Sequence, residues 1–343
     1  MNPLAPVLPG LFAEIASLTA GLGRRVDAQA LRISDRDGDM RLGRPGRQSP
    51  NGSCRLIETA EGWIALNLAR DEDRELLPAW LGQESGQLDW PELERTLRGR
   101  TRDRLIADAT LLGLPVAAVG EVACGRLEAP LVRPGSGAAG EVLRRPVKVV
   151  DLSALWAGPL CGAILAAMGA SVLRIESRGR PDPSRISTPL FYGRLNGEKT
   201  ELQLGFTDPS DRARLADEIL ATDVLITSAR PRALSALGLE PRRLFAANPH
   251  LVWVAITGYG RDGSEAQRVA FGDDAAAAGG LVRWAPDGSP QFLGDALADP
   301  VTGLAAAIGA LKGLIAGGGV IVDAALARCA AGAATALRLE SAL

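Results

Sequence analysis

Three aspartates offer the best-defined chemistry in the sequence. Asp299 stands one residue before Pro300 at the head of a helical pattern over 301–314, the arrangement of an Asp cap with Pro at the first helical position. A carboxylate there is also held ionised by the helix dipole and backbone donors, which suits an anionic nucleophile. Residue type and position leave cap and nucleophile both standing. Asp273 and Asp274 precede the small-residue run 275–278 and fit N-cap positions in the same way.

Other chemistry-bearing residues read more simply. Gly258, Gly260 and Gly263 (GYGRDG) match the spacing of a dinucleotide fingerprint after a strand pattern. Their context is that of a turn: no apolar-periodic helix begins at 264–270, and the motif follows the fourth or fifth strand rather than the first. His250 lies in a turn sequence, Asn248-Pro249-His250, with no carboxylate or nucleophile evident beside it. It is the only histidine, so a mechanism needing two bases has no histidine pair to draw on. Cys161 near a helix start reads as a buried small residue rather than an activated thiol. Four cysteines far apart (54, 124, 161, 329), without a CxxC pair, exclude a His/Cys zinc site, and no metal is expected.

The elements that must hold these residues fall into two regions, predicted as 1–143 and 144–343. The Pro/Gly-rich stretch 129–140 (APLVRPGSGAAG) is the predicted linker. The first region reads as a smaller α+β domain: a helix over 11–22, two strands within 54–68 around a turn at 60–62, and helices over 71–81 and 90–112. The charged run 70–75 reads as a solvated helix face. The second region alternates strand patterns (147–151, 171–175, 199–204, 223–227, 251–256) with helical ones (159–168, 209–221), which predicts a Rossmann-like, mostly parallel α/β sheet with helices on both faces. Ligands on such sheets sit at the carboxyl ends of the strands, here 153–158, 176–180, 227–230 and 257–260.

Composition narrows the class of partner. With 38 Lys+Arg against 40 Asp+Glu, the net charge is −2, which gives no basis for binding nucleic acid or an anionic membrane and points to a small molecule. At 343 residues, 47% of them apolar, the chain has the length of two domains and can bury a sizeable core. The apolar stretch 303–337 is cut by Lys312, Asp323 and Arg328 into pieces too short to span a bilayer. The N-terminus lacks the basic start of a secretory signal, so a reducing cytoplasm is the expected location.

The second region resembles the family III CoA-transferases, the group of formyl-CoA transferase, carnitine CoA-transferase and α-methylacyl-CoA racemase. The resembling segments are 149–153 (VVDLS), 157–159 (AGP), 168–172 (MGASV) with Ile175 and Glu176, 195–199 (LNGEK), Leu237 and Gly238, Asn248 and Pro249, and 256–260 (ITGYG). Asp299, followed by Gly303 and Gly309, is similar to the family's catalytic-aspartate signature. In the first region, 62–67 (GWIALN) and 112–116 (LGLPV) look like pieces of the family's small domain.

The resemblance implies transfer of coenzyme A from an acyl-CoA thioester to a carboxylic acid, with Asp299 as the nucleophile. It further implies a homodimer, and CoA contacts at Leu155, Trp156, Arg178, Arg230 and Arg268. Three departures stand out. The segments similar to the small domain come first; the stretch matching the family's Asn-Phe-x-Pro-Gly is 227–232 (TSARPR); and 271–273 (FGD) lacks the histidine of the racemase's Gly-His-Asp. Without a second base to deliver a proton, racemisation at an α-carbon is disfavoured against transfer. An isomerase, and a non-catalytic or half-enzyme CoA-binding homologue, remain the alternatives.

Overall fold

In a computed structural model, which describes residues 2–32, 36, 40–83, 88–122, 127–132 and 146–340, helix α1 (Leu8–Gly21) comes first. The predicted boundary near 143, most of the 129–140 linker and Cys124 lie outside the described residues. Strands β1 (Cys54–Thr59), β2 (Gly62–Asn67) and β3 (Val116–Ala118) form an antiparallel sheet in that order. Four helices accompany it: α2 (Asp71–Glu75), α3 (Leu77–Leu81), α4 (Trp90–Leu97) and α5 (Arg102–Leu112). They close a core on Ile57, Ile64, Leu66, Leu93, Leu97 and Leu105.

The helical periodicity predicted two helices where four form. Pro78 has no N–H to continue α2 and stands in the first turn of a new helix instead, and Gly99 interrupts 90–112 before α5 starts after Thr101. Asp73 corrects the reading of 70–75 as a solvated face. It alone of 71–75 is buried, and it pairs with Arg70, while Asp71, Glu72, Arg74 and Glu75 are exposed as that reading expects.

The larger sheet has seven strands. They are β4 (Leu131–Val132), β5 (Lys148–Leu152), β6 (Ser171–Ser177), β7 (Thr200–Leu204), β8 (Val224–Thr227), β9 (Val252–Thr257) and, after the hairpin β10 (Val282–Trp284) and β11 (Pro290–Phe292), β12 (Val320–Ala325). The order is β4-β12-β9-β8-β5-β6-β7, all parallel except β4. Between the strands run α6 (Ala157–Ala167), α7 (Ser184–Ser187), α8 (Pro189–Asn196), α9 (Pro209–Leu220), α10 (Pro231–Ala236), α11 (Pro241–Ala247), α12 (Gly272–Ala278) and α13 (Ala298–Ile315); α14 (Leu326–Glu340) follows β12.

Period-two alternation sends successive strand residues to opposite faces. Val149, Val224, Val252, Val254 and Val322 join the core with α1, α6, α13 and α14, whereas Val150, Leu225, Trp253 and Ile321 join the one with α9, α10 and α11. The predicted architecture, a mostly parallel sheet with helices on both faces, is the one observed. α1 packs on α13 and β4 extends the large sheet, so parts of the first 143 residues belong by packing to the second region.

Strand β12 was not predicted, since the glycines 317–319 and the apolar run around them obscured a turn followed by a strand. α13 is long and apolar enough for a bilayer span, yet 83% of it is buried inside this protein. Gly303 and Gly309 make that packing close: a methyl group on Gly303 would meet the Ala157 carbonyl at 2.8 Å, and one on Gly309 would meet Val322 at 2.4 Å.

Candidate active site

Asp299 lies in the first turn of α13, two residues past the N-cap position held by Leu297, and makes no capping bond. The expectation of a cap followed by Pro at the first helical position is thereby corrected: the helix starts earlier, because Ala296 takes a left-handed turn at φ +46. The Ala296 carbonyl accepts the Asp299 N–H at 3.0 Å. Among the described residues the Asp299 carboxylate accepts no hydrogen bond, and it is half-buried.

Opposite Asp299 is the start of α12. A methyl group on Gly272 would stand 2.2 Å from Asp299 Oδ2, so this helix start meets the carboxylate through bare backbone. Asp273 and Asp274 follow, both buried. Asp274 accepts the Phe271 N–H at 2.9 Å and an Asn67 Nδ2 hydrogen bond at 2.8 Å. Asp273 accepts the Ala296 N–H at 2.7 Å on one oxygen and Asn51 Nδ2 at 2.6 Å on the other. Asn51 Nδ2 also lies 2.7 Å from Asp295, which Arg36 Nε approaches at 2.7 Å. The Arg36 guanidinium lies 4.6 Å over the Trp156 ring.

Asp273, Asp274, Asp295 and Asp299 therefore form one cluster of carboxylates, with the Arg36 guanidinium paired to Asp295. Burial pushes Asp299 up to about 7; Arg36 pulls it down, and Asp273, Asp295 and Asp274 raise it further. Burial likewise takes Asp274 to about 7 and, with Asp295 beside it, Asp273 to about 6. The helix dipole does not hold Asp299 below the ordinary carboxylate range, as the sequence had led us to expect. Desolvation and like charge outweigh it. A carboxylate that titrates near neutrality, has no donors on it and is open to solvent on one side can act as a nucleophile.

The predicted coenzyme contacts divide between two places. Leu155, half-exposed at φ +69, and Trp156, buried, form the turn between β5 and α6, and Trp156 reaches the carboxylates through Arg36. Arg230 lies against Gly113 from the first region. Its proton affinity is lowered by burial and then by Arg232, Arg70 and Arg180. Among the described residues Arg180, Arg230 and Arg232 make no ion pair. Arg70 donates to the Gly113 carbonyl at 3.2 Å and lies 5.4 Å over the Phe271 ring, which links this cluster of arginines to Gly272.

Arg178 and Arg268 stand elsewhere. Arg178 pairs with Asp211, and the buried Arg268 donates to Glu121, Glu265 and the Val116 carbonyl while lying on Tyr259. Arg268 ties the two regions together with its guanidinium fully engaged. Burial pushes the Cys161 thiol far up, and His250 faces the Gly317 carbonyl. Among the described residues no group of three His, Cys, Asp or Glu is placed to hold a metal ion.

The sequence model of CoA-transferase family III matches residues 145–338. The chain belongs to CoA-transferase family III. It is similar to the succinyl-CoA–D-citramalate CoA-transferase of Chloroflexus aurantiacus, 30% identical over 177 residues, or 49% of this chain and 44% of that protein. It is also similar to the human succinyl-CoA:glutarate CoA-transferase, 31% identical over 190 residues, or 52% of this chain and 43% of the relative. Among solved structures, a CAIB/BAIF family protein from Brucella suis superposes with a TM-score of 0.51 at 29% identity, over 57% of this chain and 55% of that one. The chain spans less than half the length of these curated relatives.

In this family III chain the groups that sequence reading missed are Asn51, Asn67, Arg36, Asp295 and Arg70. All but Asp295 come from the first region; Asn67 ends the 62–67 segment that resembles the small domain and Arg70 opens the charged run 70–75, yet nothing in either pattern marked them as site residues, and no periodicity or motif marks Arg36 or Asn51. Asp295, four residues before Asp299, was legible only as one more charge.

Proposed function

We propose that this chain moves coenzyme A between carboxylic acids, with Asp299 as the covalent nucleophile. The observation that carries the reading is the Asp299 carboxylate: at the head of a core helix in the region of the family match, half-open, without donors, and titrating near neutrality. Asp299 attacks the thioester carbonyl of an acyl-CoA; the C–S bond breaks and CoA leaves as thiolate, giving an acyl–aspartyl anhydride. The thiolate then attacks the Asp299 carbonyl and expels the first acid as its carboxylate. The acceptor carboxylate attacks the resulting aspartyl–CoA thioester, again releasing thiolate, and thiolate attack on the acceptor acyl carbon restores Asp299. One carboxylate leaves for each that enters, so the cycle needs no net proton.

The cluster of Arg180, Arg230 and Arg232, beside the Asp73-paired Arg70, suits the phosphates of CoA, with Leu155 and Trp156 beside the reacting end. The two relatives' names pair succinyl-CoA with citramalate and with glutarate, and we extend that class, short dicarboxylates, to this chain. A homodimer is its working assembly. Transfer is favoured over α-proton exchange by Asp273. This nearby acid, also raised toward neutrality, is buried with both oxygens held, which keeps it from serving as the second base.

The test is intact-mass spectrometry after incubation with succinyl-CoA, glutaryl-CoA and branched acyl-CoA esters, followed by peptide mapping. An adduct on Asp299 is expected. Asp299→Asn should lose the adduct and reduce turnover on the order of 10⁴-fold. Unchanged turnover in that variant, or an adduct elsewhere, overturns the assignment.

A further inference from the structure

Asn51 has an unusual set of partners. Its Oδ1 accepts the Ser53 N–H at 2.9 Å and the Ser49 hydroxyl at 3.0 Å, which fixes the amide orientation and leaves Nδ2 as the donor end. That end meets Asp273 of α12 at 2.6 Å and Asp295, in the loop before α13, at 2.7 Å. The other Asp273 oxygen accepts the Ala296 N–H, and the Ala296 carbonyl accepts the Asp299 N–H. Ala296 is a non-glycine residue in the left-handed region, a conformation that surroundings must enforce. Here the Asn51–Asp273 pair enforces it, and the turn sets where Asp299 enters its helix.

We propose that Asn51 is a positioning residue for Asp299, joining the carboxylates of Asp273 and Asp295 across the site so that the left-handed turn at Ala296 presents the Asp299 carboxylate. The proposal rests on the transferase reading only for its kinetic consequence. The geometric part concerns the Asp299 carboxylate itself.

The sign follows from charge. The charged groups facing Asp299 are Arg36, Asp273 and Asp274 on α12, and Asp295. Removing the Asn51 donor makes the buried Asp273 bind its proton more readily, since that hydrogen bond favours its charged form while burial and the nearby Asp295 disfavour it. Less negative charge then faces Asp299, which releases its own proton at lower pH. A merely structural amide would lower stability without moving that titration.

The experiment is a carboxyl-carbon NMR titration of protein labelled at aspartate with carbon-13, the Asp299 signal being assigned by its loss in Asp299→Asn. Asn51→Ala is compared with wild type and with Asn67→Ala, which removes the amide on Asp274 alone. In Asn51→Ala the proton affinity of Asp299 should fall roughly threefold or more, and by less than half as much in Asn67→Ala. The kcat of Asn51→Ala should fall about tenfold, with the KM for acyl-CoA within about twofold and the acid limb of the rate profile displaced to lower pH. An Asp299 titration unmoved in folded Asn51→Ala, or moved equally in Asn67→Ala, overturns the proposal. If the wild type turns over no ester of the panel, the transferase reading fails and the titration still decides the role of Asn51. Should Asn51→Ala not fold, Asn51→Ser, which keeps a single donor, takes its place in the same comparison.

Discussion

Two regions of this protein bury clusters of carboxylates, and they treat them in opposite ways. Beneath the turn between β5 and α6, Asp151 receives Lys199 Nζ at 2.8 Å, the Ser153 N–H at 2.9 Å and the Ser153 hydroxyl. Arg174 donates to Glu176 and Asp182 and to the Ser153 carbonyl, and Asp182 in turn accepts the Leu155 N–H. Burial alone would raise Asp151, but Lys199, Arg174 and the donors hold it below the ordinary carboxylate range. Around Asp299, four carboxylates share Arg36 and two amides, and three of them rise toward neutrality. Full compensation fixes a loop in place, whereas incomplete compensation leaves a carboxylate reactive. The first cluster is scaffold for the second: it holds the Leu155–Trp156 turn, against which Arg36 is stacked.

Breaking the compensated cluster should have the larger effect on stability. Lys199→Met strands Asp151 without its main counter-charge and is expected to cost about 3–5 kcal/mol, read as a lower urea midpoint at unchanged slope. A cost under about 1 kcal/mol would remove the contrast between the regions. In the uncompensated cluster, Gly272→Ala drives a methyl group into the space of Asp299 Oδ2. That substitution should cost about 1–3 kcal/mol in stability and, by moving Asp299, the proposed nucleophile, about 10²-fold in kcat. Arg230→Gln should raise the KM for acyl-CoA about tenfold, while Arg178→Gln, whose partner is Asp211, changes it less than about twofold. Equal effects of the two would relocate the phosphate site.

In the pH dependence of stability the two clusters have opposite signs. Asp299 binds its proton more tightly folded than unfolded, so its contribution is most favourable below pH 4 and is lost as pH rises toward 7. Asp151 behaves conversely, stabilising the fold above its unfolded titration and losing that as pH falls through the lowered folded one. Asp299→Asn should therefore melt at a higher temperature than wild type at pH 8 and at a similar one at pH 4. A variant that melts below wild type at pH 8 would show the native carboxylate to be stabilised by contacts rather than strained by its neighbours.

Much of the scaffold was legible from sequence because strand and helix periods are local. Short runs rich in Val, Leu and Ile marked β5, β6, β8 and β9, and the 54–68 hairpin formed where its turn was read. Helix breaks at Pro78 and Gly99 were visible as residues yet not weighed against the longer periodicity. Strand β12 was lost in a continuous apolar stretch, where periodicity does not distinguish a buried strand from a buried helix. In the candidate site, Asp299 and Trp156 were found through a resemblance, and Arg230 with them. Asn51 was not, and Asn67, though it ends the resembling segment 62–67, carried no role there, because an amide becomes a site residue only through what lies opposite it.

The sequence by itself determined the parallel sheet, the helices on its two faces and Asp299 at the head of α13, since each follows from residue types spaced within one segment. Tertiary structure alone decided the state of that aspartate. Asn51, Asn67 and Arg36 reach α12 and α13 from more than 200 residues away in the chain. Proton affinity depends on which charges and donors lie within a few ångströms in space, and sequence distance carries no record of that.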